Sequence, residues 1–308
     1  VLGLCLNSIL LQDYPREKFE IIIVDGGSTD RTLEVAETFS VDKILRNPLR
    51  TGEAGKAVGA EAAKNEIIAF IDSDNILDRQ DWFKKMLEPF EDPSIVGADT
   101  FYYTYRREDP LITRYCALIG SNDPLCVYLG NFDRYCHFKD TWTEMFVNTE
   151  ERGDYLTIQM DEMNVPSMGA DGFLVRTEAL EDINYKPYYF DIDIVHQFVT
   201  ARKLLAKVKV GIVHLFASGV KVFIKKTYRR IRDYLYFERH EMRKYPWRHL
   251  SRLNLLKFVL YTLIVIPLVR DLIKGYKTVP DKAWLFHPGA CWAVLLTYGI
   301  TYLVHAHR

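Results

Sequence analysis

Cysteine is scarce and unpaired in this chain of 308 residues: Cys5, Cys116, Cys126, Cys136 and Cys291 are an odd number, and no two form a C-x-x-C pair. Neither a disulfide framework nor a zinc knuckle is therefore suggested, and a reducing compartment is the simplest setting. The ten-residue steps between Cys116, Cys126 and Cys136 match neither a helix face nor a ligand loop, so the thiols read as small core hydrophobes. Internal repeats and low-complexity tracts are absent too. The 48% hydrophobic and 26% charged content is that of a globular chain rather than a disordered one. Net charge is almost missing, at −1.

That near-neutrality is a cancellation. Residues 221–308 hold 17 Lys and Arg against five acids, a balance of +12, while residues 1–220 carry −13. The basic part adjoins the longest apolar runs, which argues against a free nucleic-acid-binding protein and for a membrane surface as partner. Ile224, Tyr228, Ile231 and Leu235 recur there at helical spacing, with Lys225, Arg229 and Arg232 pointing elsewhere, so 221–252 reads as an interfacial amphipathic region. Leu255 to Val269 is apolar apart from Lys257, and Trp284 to Val304 runs 21 residues without Asp, Glu, Lys or Arg. About 20 apolar residues cross a bilayer, so 253–308 is expected to form a hairpin of two membrane helices, the alternative being a hairpin that dips in without crossing fully. Eleven Lys and Arg in 221–252 place the acidic part on the cytoplasmic side.

The acidic part opens at Val1 on a helix already under way, with Leu2, Leu6, Ile9 and Leu10 on one side, as a fragment lacking its first strand would. Ile21 to Asp25 is a β-branched run ended by Gly26-Gly27, which reads as a strand of a parallel sheet buried on both faces. A capped helix to about Phe39, a strand Val41–Arg46, an Ala-rich helix over 54–64 and a strand ending Ile71-Asp72 follow. This alternation is the grammar of a doubly wound α/β domain, whose ligands gather at the carboxyl ends of strands, where Asp25, Asp72 and Asp74 fall. Residues 99–165 are less regular and aromatic, an acceptor-side insert, and the domain closes near residue 220. Asp72-Ser73-Asp74 puts two carboxylates one residue apart at a strand end, where both can reach one hard cation.

Asp25-Gly26-Gly27-Ser28-Thr29-Asp30 after a strand, the Gly- and Ala-rich stretch Gly52–Lys64, and Ile71-Asp72-Ser73-Asp74 together resemble the family 2 glycosyltransferases with the GT-A fold. The resemblance implies a mixed sheet and transfer of a sugar from a nucleoside-diphosphate donor, with Mg²⁺ or Mn²⁺ as cofactor. It implies that Asp25 receives the nucleotide base, that Asp72 lies near the ribose and the metal, and that Asp74 holds the metal. His214 matches the place of a histidine metal ligand in some GT-A enzymes, and Lys56 stands where the family often has an arginine. Gly169-Ala170-Asp171-Gly172 resembles the glycine-rich loop near the donor sugar, with Asp171 where asparagine is commoner. Tyr189-Phe190-Asp191-Ile192-Asp193 resembles the acidic pair that supplies the base, making Asp191 the catalytic base and Asp193 its neighbour.

A carboxylate suits inversion by direct displacement, which needs a base beside the acceptor oxygen; for Asp191 and Asp193 the structural alternative is a helix cap and first-turn acid. The Q-x-x-R-W motif typical of processive polysaccharide synthases is absent, Lys226-Thr227-Tyr228-Arg229-Arg230 standing nearby without matching it, which points to a single sugar rather than a polymer. With the basic tail, a polyprenyl phosphate or lipid-linked glycan is the expected acceptor. The competing readings are a sugar nucleotidyltransferase and an inactive membrane-tethered scaffold.

Overall fold

Ile22, Ile23 and Val24 have branched side chains that favour extended backbone, and the alanines after Gly52 favour helix; both expectations are met. The computed structural model describes residues 1–247 and 251–306. In chain order the elements are α1 (Leu2–Leu10), β1 (Ile22–Asp25), α2 (Thr32–Thr38), β2 (Lys43–Arg46), α3 (Gly52–Ala62), β3 (Ile67–Phe70), β4 (Asn75–Leu77), α4 (Trp82–Leu87), β5 (Ile95–Tyr103), α5 (Leu111–Ile119), α6 (Pro124–Leu129), β6 (Asn148–Arg152), β7 (Tyr155–Gln159), β8 (Phe173–Arg176), α7 (Asp191–Thr200), β9 (Leu204–His214), α8 (Val220–Arg239), α9 (Arg252–Ile264), α10 (Ile266–Thr278) and α11 (His287–Ala306). They gather into two units, Val1–Phe101 with Phe146–Val213, and Tyr102–Met145 with the chain from His214 onward.

In the first unit β1 runs parallel to β2, with Ile22 opposite Lys43 and Asp25 opposite Arg46. Helix α3 packs on β1 with Ala54, Ala57 and Ala60 buried, and the Thr51 hydroxyl caps it by accepting from Ala54 N at 3.2 Å. A seven-stranded sheet has the order β3-β8-β5-β9-β7-β6, with β4 paired to β9. Its pairs β3 with β8, β5 with β8, β7 with β9 and β6 with β7 are antiparallel. The α/β mixed architecture is as expected, and β1 pairs in parallel as its sequence suggests. Among the described residues β1 has one strand neighbour, so its four residues are half-buried rather than buried on both faces. In α1, Leu6 and Ile9 are buried as the spacing requires, whereas Leu10 is 38% exposed.

The second unit closes around Tyr115, Phe132, Phe138, Phe223, Phe258 and Trp284, all buried. Helix α8 contributes Phe223, Thr227 and Ile231 to its buried side, one per turn. The expected stripe is rotated: Ile224 and Tyr228 are 42% and 43% exposed, because α8 lays its other side along α11. Gly275 admits the Trp284 ring against α10, since a Cβ there would come within 2.6 Å of it. At the centre His287, fully buried, accepts at Nδ1 from Tyr115 Oη at 2.8 Å and meets Tyr128 Oη with Nε2 at 3.0 Å. Tyr128 in turn donates to Asp271 Oδ2 at 2.7 Å, so its oxygen accepts from the imidazole and the proton sits on Nε2.

The expected pair of membrane helices is corrected here. Among the described residues no helix is long and apolar enough to cross a membrane. The first apolar run breaks at Val265, whose φ is +67°, just before Pro267. The resulting α9 has 13 residues, about 20 Å at 1.5 Å per residue against a hydrocarbon thickness of about 30 Å. Helix α11 is longer but spends Ala290, Cys291, Val294 and Thr301 on protein packing. Residues 248–250 of the expected interfacial region, and 307 and 308 of the expected hairpin, lie outside the described residues.

Candidate active site

Two carboxylates that the sequence separates, Asp72 and Asp191, meet one lysine in the first unit. Lys56 projects from α3, Asp72 follows β3, and Asp191 opens α7. The Lys56 Nζ donates to both carboxylate oxygens of Asp191, at 2.9 and 3.0 Å, and lies 3.6 Å from Asp72 Oδ1. Backbone contacts fix this meeting. Tyr189 N donates to Glu53 O at 2.9 Å, tying the segment before α7 to the first turn of α3. Gly169 has φ +104°, and a Cβ on it would stand 2.8 Å from Asp191 O and 3.1 Å from Val195, so only glycine lets this loop press on the start of α7.

Asp171, buried at φ +50°, joins the group through Asn75. That amide donates from Nδ2 to Asp171 Oδ1 at 3.1 Å and accepts at Oδ1 from Asp72 N at 2.9 Å. Asn75 is fully buried and went unread in the sequence. The signal available was an asparagine directly after a strand-end acidic turn, a residue type that bonds nearby backbone amides. Tyr189, to which the sequence assigns no role beyond opening the acidic stretch, is fully buried beside the cluster, its ring 4.3 Å from that of Phe70.

The electrostatics follow from this packing. Burial pushes the Asp191 carboxyl up, to about 7; the Lys56 charge pulls against this and the Asp72 charge adds to it. For Lys56, burial favours the neutral amine, but the charges of Asp191 and Asp72 outweigh it and raise the ammonium above its ordinary value. The proton therefore stays on the lysine, and Asp191, with its side chain 25% exposed, exchanges its own near neutral pH. A carboxylate poised there can accept a proton from a hydroxyl. Asp193, also in the first turn, is buried, so of the two acids Asp191 is the one that reaches solvent.

Asp25 ends β1 and closes its own turn, its Oδ2 accepting from Gly27 N at 2.9 Å and its Oδ1 from Ser28 N at 3.1 Å. The Ser28 hydroxyl first, and then those amides, hold the Asp25 carboxyl below its ordinary range. Burial pushes the Cys5 thiol up to about 12, and the charges of Asp72 and Asp74 add to it. Cys5 itself donates to Asp72 O at 3.7 Å. His214 belongs to the second unit, where its Nδ1 meets Asn122 Nδ2 at 3.1 Å. Among the described residues no three His, Cys, Asp or Glu side chains converge as a metal site. A hollow of 740 Å³ between Gln159–Asn164 and Val199–Arg202 includes no residue of the cluster.

A family model described as Glycosyl transferase family 2 matches residues 1–183. Over 86 residues the chain is 33% identical to the Glycosyltransferase AglE of Haloferax volcanii, a stretch covering 26% of this chain and 28% of that one. It is 35% identical over 104 residues to the dolichyl N-acetyl-alpha-D-glucosaminyl phosphate 3-beta-D-2,3-diacetamido-2,3-dideoxy-beta-D-glucuronosyltransferase of Methanococcus voltae, covering 30% of this chain and 32% of the relative. Each match thus spans less than two thirds of the relative's length. Among solved structures, the mannosyltransferase PcManGT from Pyrobaculum calidifontis, in complex with GDP-Man and Mn²⁺, aligns at a TM-score of 0.49 and 15% identity, over 98% of this chain and 79% of that one.

Proposed function

The chain belongs to glycosyl transferase family 2 and is a glycosyltransferase, and from that premise we propose that it moves a single sugar, with inversion, from a nucleoside-diphosphate sugar to a lipid-linked acceptor. The observation that carries this reading is the Lys56–Asp191 contact beside Asp72. A base with a value near 7, partly exposed at a helix start, suits removal of a proton from an acceptor hydroxyl as that oxygen attacks the anomeric carbon. In the resting chain Lys56 occupies both Asp191 oxygens. A donor diphosphate entering beside Asp72 offers the ammonium other oxygens, and Lys56 turning to them frees an Asp191 oxygen for the hydroxyl. Asp25 takes the nucleotide base at the end of β1.

The donor set at Asp72 and Asp74 is hard oxygen, which suits Mg²⁺ or Mn²⁺. Two carboxylates are the share that protein commonly gives a magnesium ion, the rest coming from phosphate and water. When bound, the ion would neutralise charge on the leaving diphosphate. The acceptor class rests on the basic segment after residue 220 and on the dolichyl phosphate named for the Methanococcus relative. The same segment favours a membrane surface as the location, its Lys and Arg drawn to anionic headgroups.

The test is a panel of nucleotide sugars with membrane-extracted lipids, with and without Mn²⁺, read as label entering the organic phase. Asp74→Ala should abolish any Mn²⁺-enhanced nucleoside-diphosphate binding. Label confined to water-soluble products would overturn the acceptor class, and undiminished metal-enhanced binding by the variant would overturn the metal assignment.

A further inference from the structure

We propose that the bend between α9 and α10 docks this protein on an anionic lipid surface, its apolar tip entering the outer part of one leaflet without crossing it. The inference concerns the second unit alone and does not depend on the sugar-transfer reading. Helix α9 spends one side on protein: Asn254 Nδ2 donates to Leu129 O at 3.3 Å, Phe258 and Thr262 are buried, and the Phe258 ring lies 5.5 Å from that of Tyr128. The other side is left to solvent, with Leu256, Leu260, Leu263 and Ile264 between 45% and 56% exposed. Just past the break at Val265, Ile266 is 75% exposed and Val269 41%. Exposed leucine and isoleucine side chains thus flank the bend on both sides.

Charge identifies what covers them. Residues 251–306 contain Arg252, Lys257, Arg270, Lys274, Lys277 and Lys282, and every one is exposed. Their two acids face inward. Asp271 accepts from Tyr128 Oη at 2.7 Å, and Asp281 is buried, accepting from Tyr105 Oη and from Ala283 N at 2.6 Å. The exposed charge of residues 251–306 is therefore positive throughout. On α10, Lys274 and Lys277 stand eight and eleven residues from Ile266, about 12 and 16 Å along the helix. That spacing lets apolar side chains enter a leaflet by about 5–10 Å while the ammonium groups reach the phosphates. A helix of 13 residues on each side of the bend suits entry into one leaflet and is too short to span two.

The test is flotation of the intact chain with vesicles of phosphatidylcholine alone and of phosphatidylcholine with 30 mol% phosphatidylglycerol. Binding at least tenfold stronger to the anionic vesicles is expected, with loss of at least tenfold in Ile266→Asp. The double variant Lys274→Glu/Lys277→Glu should lose at least tenfold of the anionic preference, since each cation near such a surface is worth about fivefold. Phe146→Asp, an exposed aromatic of the first unit, should bind as the parent does. Should Ile266→Asp fail to fold, as judged by its melting curve, the lysine double variant carries the test. Equal binding to both vesicle types, parental binding by Ile266→Asp, or a tip-dependent dimer in light scattering without vesicle binding would each overturn the proposal.

Discussion

Burial and the Asp72 charge raise the Asp191 carboxyl while Lys56 lowers it, and substitution tests whether it serves as the base. Asp191→Asn keeps the size and removes the proton acceptor, so turnover should fall by roughly 10²- to 10⁴-fold while donor binding, measured by calorimetry, stays near the parent value. A helix-cap role alone would instead lower the melting temperature with little change in turnover per folded molecule. Activity should fall as pH drops through about 7, because burial gives Asp191 that value and the base must be ionised. Lys56 is an influence that lowers it, so in Lys56→Met the acid limb should move to higher pH; a limb that stays in place would detach Lys56 from the base. Lys56, Asp72 and Asp191 were each legible as single residues from their helix, strand-end and helix-start positions. Their meeting was not, since residue 56 lies 135 positions from residue 191 and no local spacing encodes that contact. Asn75 was hidden for the same reason: its second partner, Asp171, is 96 residues away.

Elements decide how sharply those residues are held. The loop at Gly169 and the first turn of α7 touch too closely for any side chain between them. Gly169→Ala should therefore displace Asp191 as well as strain a positive φ, lowering kcat by tenfold or more at a stability cost of about 1–2 kcal/mol. An unchanged kcat with only a lower melting temperature would make this loop purely structural. In the second unit burial holds His287 down to about 3. Between that value and the ordinary 6.5 the unfolded chain binds a proton that the native chain does not. Stability is thus full above about pH 6.5 and should be lost on acidification, at roughly 1.4 kcal/mol per pH unit from this group. Denaturant titrations from pH 7 to 5 should show that slope, and His287→Gln should flatten it. The strands, α3 and α7 were readable because hydrophobic period and capping are local signals. The apolar segments misled at this scale: hydropathy reports how greasy a run is, but not that Val265 breaks one or that protein packing takes one side of α11.

At the scale of the molecule, sequence asymmetry and structure agree on a division of labour. An acidic unit holds the Lys56–Asp191 cluster, and a second unit closes on tyrosines around His287 and leaves leucines and lysines outside. The expected α/β mixed-sheet half is present, whereas the pairing of its strands could not be read, because which run lies beside which depends on contacts far apart in sequence. The account stands or falls on whether the cluster at Lys56 is where sugar is transferred. The direct measurement is transfer of radiolabelled sugar from its nucleotide donor by the intact chain in membranes, beside Asp191→Asn at equal folded concentration and equal donor occupancy. The expected result is labelled lipid from the parent and a rate roughly 10²- to 10⁴-fold lower from the variant. Equal rates from the two proteins would contradict it.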